Sequence, residues 1–213
     1  MSVAPHRSRP HPGLPLDALT HRGYETRQRI VAAATELFAE RGYHATPISD
    51  VGDRAGVQRG ALYYHIKSKE DLLFAVLVQH AQAMLQGVQE VLAQPLEAEE
   101  KLRRLVTYMV LSLLERQQEM TIYERDRRAL TAGRLSELQD IHERTWQALD
   151  QILQEGVAAG TMRPIDPVVR KGLAGLIVNP HHWYRPGGPR TPSEIAEHLA
   201  DFIRGGLAPA SAK

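Results

Sequence analysis

Between residues 58 and 64 the chain places Gln58, Arg59, Tyr63 and Tyr64 around the small Gly60 and Ala61. An amide, a guanidinium and two phenols donate hydrogen bonds, and two residues almost without side chains leave room for close approach. That combination suits the acceptor-rich edges and phosphates of a DNA groove better than bond-breaking chemistry. Catalysis has no comparable carrier. His181 and His182 are adjacent, and adjacent residues on a helix point about 100° apart, so they do not easily share one ion. No paired carboxylates, nucleophile motif or His-x-x-x-His spacing accompanies them. The expectation is no enzyme, with no catalytic residue, no metal and no cofactor.

For the 58–64 group to meet DNA, a short helix has to present it. Ile30, Ala33, Ala34, Leu37 and Phe38 repeat at helical spacing, so a first helix is expected from about residue 26 to Arg41, stopped by Gly42. Thr46, Pro47 and Ile48 read as an N-cap, a proline at the first helical position and the first apolar residue of a second helix. That helix ends near Ala55 because Gly56 follows. A third short helix then covers residues 58–65, with Val57 and Leu62 turned inward against Leu37, Phe38 and Val51. Two short helices joined by a glycine turn outline a helix-turn-helix, whose second helix enters a major groove. Ser68 caps a long fourth helix, with Glu70 and Asp71 at the positive end of its dipole.

The remaining pattern is helical throughout. Apolar stripes predict a fifth helix near residues 102–113, a sixth at 120–130 and a long seventh ending at Gly160. An eighth starts at Pro167, and a ninth opens at Thr191 after the loop 185–190. No alternating strand pattern appears, so the fold class is all-α with about nine helices. The first 21 residues hold four prolines, which suits a disordered leader; Arg7 and Arg9 in it could alternatively lie on DNA.

Composition sets the class. The chain has 213 residues, 43% of them hydrophobic and none cysteine. No apolar run approaches the roughly 20 residues of a membrane span, and residues 1–20 lack a signal-peptide core. The expected location is the cytoplasm. Residues 1–70 carry ten Lys or Arg against seven Asp or Glu, while the remainder carries sixteen against eighteen. A mildly basic front on a mildly acidic body fits a DNA-binding head on a body that does not touch DNA.

Two stretches resemble the tetracycline-repressor (TetR) family of transcriptional regulators. One is Thr26-Arg-Gln-Arg-Ile-Val-Ala-Ala-Ala-Thr-Glu-Leu-Phe-Ala-Glu-Arg-Gly-Tyr43. The other runs from Ala55 to Leu72 and contains Leu62-Tyr-Tyr-His65 followed by Lys67-Ser-Lys69. The resemblance implies a ligand-responsive repressor that binds a palindromic operator as a homodimer. By matching position, it puts Thr46 on a phosphate and Arg59, Gly60 and Ala61 at base edges. Tyr63 goes to a base or thymine methyl, Tyr64 and His65 to phosphates, and Lys69 to a phosphate. Tyr63 could instead pack within the head, and His65 could cap helix carbonyls. A lysine at the positive end of a helix is locally unfavourable, which favours an anionic partner for Lys69. Gln58, Gly52, Ala61 and Ile66 depart from the usual family residues, so the operator sequence is not legible.

Beyond Leu73 the resemblance is one of layout. It implies a body that binds a small effector and dimerises through its last two helices. Gly172, Ala174 and Gly175 would let one of these helices approach a neighbour. Candidate ligand contacts are Tyr108, Met109, Tyr123, Arg127, Trp146, Leu149 and Trp183; Tyr108, Met109, Tyr123, Trp146 and Leu149 could instead be core, and the charge run 124–128 that holds Arg127 could instead be mostly a solvated helix face. The segment Trp183-Tyr-Arg-Pro-Gly-Gly188 is similar to a subgroup that controls lipid, sterol or aromatic-acid breakdown and senses acyl-CoA thioesters. The expected organisation is a disordered tail at 1–22, a DNA-binding domain at 23–70, a ligand-binding and dimerisation domain at 71–207 and a tail at 208–213. The alternatives are a ligand-dependent activator, or a ligand-binding protein of this fold that has lost DNA binding.

Overall fold

In the computed structural model the described residues are 21–209. The expected tails, with Arg7 and Arg9, lie almost wholly outside them. The described residues are all-α: α1 (His21–Arg41), α2 (Ile48–Ala55), α3 (Arg59–His65), α4 (Lys69–Leu92), α5 (Ala98–Glu115), α6 (Gln117–Asp126), α7 (Ala132–Ala158), α8 (Pro167–Val178), α9 (Pro180–Trp183) and α10 (Pro192–Leu207). A 3-10 turn, Arg127–Ala129, follows α6. They divide into two compact units. One holds the residues up to Ala83 together with Thr121–Leu135; the other holds Met84–Met120 and the chain from Ser136 onward. The sequence expects a single boundary at residue 70. The packing division falls later and draws a segment from mid-chain into the first unit.

In the first unit the stripe Ile30, Ala34, Leu37 and Phe38 on α1 is buried together with Val51, Leu62 and Ile66. Gly42 ends α1 at φ +89°. Gly56 ends α2 in the left-handed region, φ 63° and ψ 40°, where a side chain costs roughly 1–2 kcal/mol. Gly52 has a different reason to be small. A Cβ there would lie 3.1 Å from the Leu62 side chain and 3.3 Å from the Val57 carbonyl oxygen. The glycine lets α3 settle closely on α2. Ser68 caps α4 as expected, its Oγ accepting from the Asp71 amide at 3.0 Å.

In the second unit α5 packs on α10. Leu102, Leu105, Val106 and Val110 of α5 share a buried core with Leu149 and Ile152 of α7, Ile177 of α8, and Ala196, Ala200 and Ile203 of α10. Asp166 caps α8 through the Val168 amide at 2.7 Å. Thr191 and Glu194 form a reciprocal capping box at the start of α10.

Several boundaries differ from the sequence expectation. α1 begins five residues earlier than residue 26. α3 starts at Arg59, with Gln58 as its extended N-cap residue. α6 starts at Gln117 and gives way to the 3-10 turn after Asp126. α9 is an additional single turn. Pro180 cannot donate to the α8 ladder, so α8 stops at Val178 and the proline opens a new turn. Thr46 is not the N-cap of α2, because the extended Pro47 occupies that position. Its hydroxyl lies 2.8 Å from the Gly42 carbonyl oxygen and 3.3 Å from that of Leu37, so it closes the end of α1 instead.

Candidate nucleic-acid interface and small-molecule groove

α3 is two turns long, and along its own length it buries one side chain, Leu62. The apolar Leu62 and the following Ile66 go inward. Arg59, Gly60, Ala61, Tyr63 and Tyr64 are all exposed. Tyr63 is 44% exposed and Tyr64 73%, far more than rings serving as core would be. The Arg59 guanidinium stacks 5.8 Å from the Tyr63 ring centroid, which pre-orients it at the surface. Nothing lies within 4 Å of where a Gly60 Cβ would stand, so the head itself does not require glycine there. Gln58 is also exposed. The sequence-derived set thus forms one continuous outward face on α3.

His65 and Lys69 flank the end of that face, and both are partly buried. The His65 ring packs edge-on against Tyr64 at 5.1 Å. Burial, then the nearby Arg27 charge, pushes its pKa below the ordinary histidine value. The Lys69 ammonium donates to the His44 carbonyl oxygen at 3.1 Å and sits 4.7 Å from the Tyr43 ring centroid. Partial burial lowers its pKa, the Asp126 charge opposing. Lys69 is therefore a held cation rather than a waving one. Thr46 does not join the face: its relative exposure is 0%, and its hydroxyl is spent on carbonyls of the α1 end.

The first unit contains polar links that sequence reading missed. Arg27 of α1 donates to the His65 carbonyl oxygen at 3.1 Å. Arg29 donates to the Ala55 carbonyl oxygen at 2.6 Å and to that of Gly56 at 3.1 Å. Asp126, 5% exposed, accepts from the Tyr43 amide at 3.2 Å and from Arg125, which also bonds the Phe38 carbonyl oxygen. Glu70 accepts from the Thr131 amide at 2.8 Å, and Arg134 pairs with Asp71. Within the dense charge run at 124–128, Arg125 thus grips the last turn of α1 and Asp126 the Tyr43 amide just beyond it.

The seven candidate ligand contacts take different places. Met109 and Leu149 are core residues of the second unit, 2% and 0% exposed. Tyr108 is half-buried over Gly87, where an added Cβ would fall 2.1 Å from the ring. The Trp146 ring lies 5.4 Å from the Arg170 guanidinium, which is bound to Asp150 at 2.7 and 2.9 Å. Tyr123 and Arg127 belong to the first unit and engage each other, ring to guanidinium at 4.9 Å. Trp183 lines an open groove of about 410 Å³, which none of the other six borders. Tyr184, Ile195 and Leu199 supply its apolar walls, and Arg185, Arg190, Glu194 and His198 also line it; Arg185 donates to the His182 and Tyr184 carbonyl oxygens and Arg190 pairs with Glu194. The Glu194 carboxylate nearby is held below its ordinary pKa by the Thr191 amide. The sequence signal for the groove was the Trp-Tyr-Arg run and the Pro-Gly-Gly-Pro loop beside it.

α8 and α10 also carry exposed apolar side chains. Val168 is 75% exposed and Phe202 68%, with Val169 also open. Gly172 and Gly175 on α8, and Gly205 and Gly206 on α10, have nothing within 4 Å of a Cβ position. No helix among the described residues is long and apolar enough to cross a membrane.

Known proteins resemble this chain in sequence and fold. Residues 30–76 match the profile described as bacterial regulatory proteins, tetR family. Residues 95–207 match that of the tetracyclin repressor-like C-terminal domain. The HTH-type transcriptional repressor KstR2 of Mycolicibacterium smegmatis is 31% identical over 192 residues, covering 85% of this chain and 90% of that protein. The structure of the ketosteroid transcriptional regulator KstR2 of Mycobacterium tuberculosis superposes with a TM-score of 0.76 at 25% identity, covering 86% of this chain and 95% of that one. The crystal structure of AibR in complex with isovaleryl coenzyme A and operator DNA superposes with a TM-score of 0.71 at 24% identity, covering 86% and 98%. With both its amino-terminal head and its carboxyl-terminal body matched, the chain belongs to the tetracycline-repressor family of transcriptional regulators.

Proposed function

We propose that this protein is a cytoplasmic transcriptional repressor that binds a palindromic operator as a homodimer and leaves it on binding a small effector. The observation that carries the reading is the α3 surface. Arg59, Gly60, Ala61, Tyr63 and Tyr64 all face outward from a helix anchored by Leu62. Arg59 reads a base edge, Tyr63 a base or thymine methyl, and Gln58, Gly60 and Ala61 lie against the groove floor. Tyr64, His65 and Lys69 hold phosphates. DNA binding is assigned to residues 23–70, and effector binding and dimerisation to 71–207. The relative KstR2 of Mycolicibacterium smegmatis, similar over nearly its whole length, is named a repressor. The open apolar strip of Val168, Val169 and Phe202 on α8 and α10 is the surface a second copy would cover. Two heads on one face of a duplex stand about 34–36 Å apart.

The effector in this reading is apolar with an anionic end, an acyl-CoA thioester being the leading class. The groove at Trp183 supports it, offering apolar walls with Arg185 and Arg190 beside them. AibR, a protein of this fold, holds isovaleryl coenzyme A in its crystal. The test is a footprint on the organism's own DNA followed by titration with a panel of acyl-CoA thioesters. A protected palindrome released by at least one thioester is expected. No protected palindrome would overturn the repressor reading. A palindrome released by an unrelated compound and by none of the thioesters would overturn the effector class alone.

A further inference from the structure

α3 is held with few means of its own. It has seven residues, too few to be stable as an isolated helix. Neither its N-cap residue, Gln58, nor that of α2, Pro47, makes a side-chain cap, and Leu62 is its single buried side chain. The last carbonyls of any helix lack intrahelical partners and need donors from elsewhere. α1 supplies them twice. Arg27 donates to the carbonyl oxygen of His65, the last residue of α3. Arg29 reaches the carbonyl oxygens of Ala55 and Gly56, at the end of α2 and in the turn that leads to α3. Residues two apart on a helix point about 200° from each other, so the two guanidiniums diverge from α1 toward separate ends of the helix pair. A charged donor on a carbonyl contributes more than a neutral one.

We propose that Arg27 and Arg29 are positioning residues for operator recognition: as a pair of carbonyl clamps they fix the angle at which α3 leaves the head. The inference rests on the DNA-binding reading above. It goes beyond that reading by assigning base discrimination partly to residues that need touch neither base nor phosphate. A loosened α3 still carries Arg59 and Tyr64 to the duplex, and Lys69 stays in place at the start of α4, so electrostatic attraction to any DNA persists. What is lost is the registration of side chains on base edges, because specific binding exceeds non-specific binding only when those contacts align.

The experiment compares full-length wild type, R27M, R29M, R27K and R29K on the footprinted operator and on a random duplex of equal length across a salt series, with thermal unfolding alongside. For both methionine variants, operator affinity is expected to fall by about ten-fold or more while random-duplex affinity and its salt slope hold. R27K is expected to recover most of the loss, since one carbonyl 3.1 Å away needs one donor. R29K is expected to recover little, since Arg29 spans two carbonyls. A uniform loss on both duplexes, with a salt slope smaller by about one, would make the arginine a phosphate contact and overturn the proposal. An unchanged ratio of operator to random affinity in folded methionine variants would overturn it too. Should the methionine variants unfold, the lysine pair decides, and equal behaviour of R27K and R29K would refute the clamp. If wild type shows no operator preference, the DNA-binding reading fails before the variants are reached.

Discussion

At the scale of single residues, Gly60 separates stability from function. It sits in the first turn of α3 with open space around its Cβ position, and glycine within a helix costs up to about 1 kcal/mol relative to alanine. Gly60→Ala should therefore leave the free protein as stable or slightly more so, while weakening operator binding because a methyl now meets the groove. Thermal unfolding and a gel shift read the two effects, and unchanged operator affinity would show that nothing approaches this site. Lys69 makes the complementary case. Its ammonium is already directed by the His44 carbonyl and the Tyr43 ring. Lys69→Ala should weaken binding to every duplex and reduce the salt slope by about one. If binding and slope stay as they were, Lys69 serves only the head.

At the scale of elements, the head is held by polar links on its carbonyls and amides as much as by its stripe of aliphatic side chains. Asp126 is the most enclosed of the charged groups among them. Asp126→Ala would leave the buried Tyr43 amide without its acceptor, which costs about 1–3 kcal/mol. Urea unfolding should show the loss, and a variant as stable as wild type would mean that water substitutes for the carboxylate. In α5 the carboxylate of Glu100 is bound by Arg103 and Arg104 at 2.8 Å. Those bonds lower its pKa from 4.5 to about 2. A depressed carboxylate pKa contributes stability that is fully present above the unfolded value and is lost as pH falls through the folded one. Its contribution should fade between about pH 4.5 and 2, and remain small because the group is partly exposed. Glu100→Gln should lower the melting temperature slightly at pH 6 and not at pH 2. An equal difference at both would assign the effect to packing.

At the scale of the whole molecule, the proposed dimer interface is the set of exposed apolar side chains on α8 and α10, and self-association through it would double the head. Phe202 is 68% exposed in the single chain, so Phe202→Asp should barely disturb folding of the subunit. It should shift sedimentation toward the monomer and cost operator affinity steeply, because each head then binds without its twin. A variant that stays dimeric would move the interface elsewhere.

Much of this was legible in the sequence because it is set by local rules. Helical periodicity placed the buried stripe of α1, glycine at positive φ marked the ends at Gly42, Gly56 and Gly160, and the cap at Ser68 and the start of the last helix at Thr191 followed from local residue preferences. The outward set on α3 was legible for the same reason: with Leu62 turned in, a two-turn helix has few other ways to face. Contacts made at long sequence separation were not legible. Whether Thr46 caps the helix after it or closes the one before it depended on where the chain turned at Gly42. That Arg27 reaches His65, or that Asp126 accepts from Tyr43, depends on which helix ends the fold brings near, and no spacing rule carries that. Likewise an aromatic or methionine on an apolar stripe reads identically as core or as pocket wall. The packing alone put Met109 and Leu149 in the core and left Trp183 at an open groove.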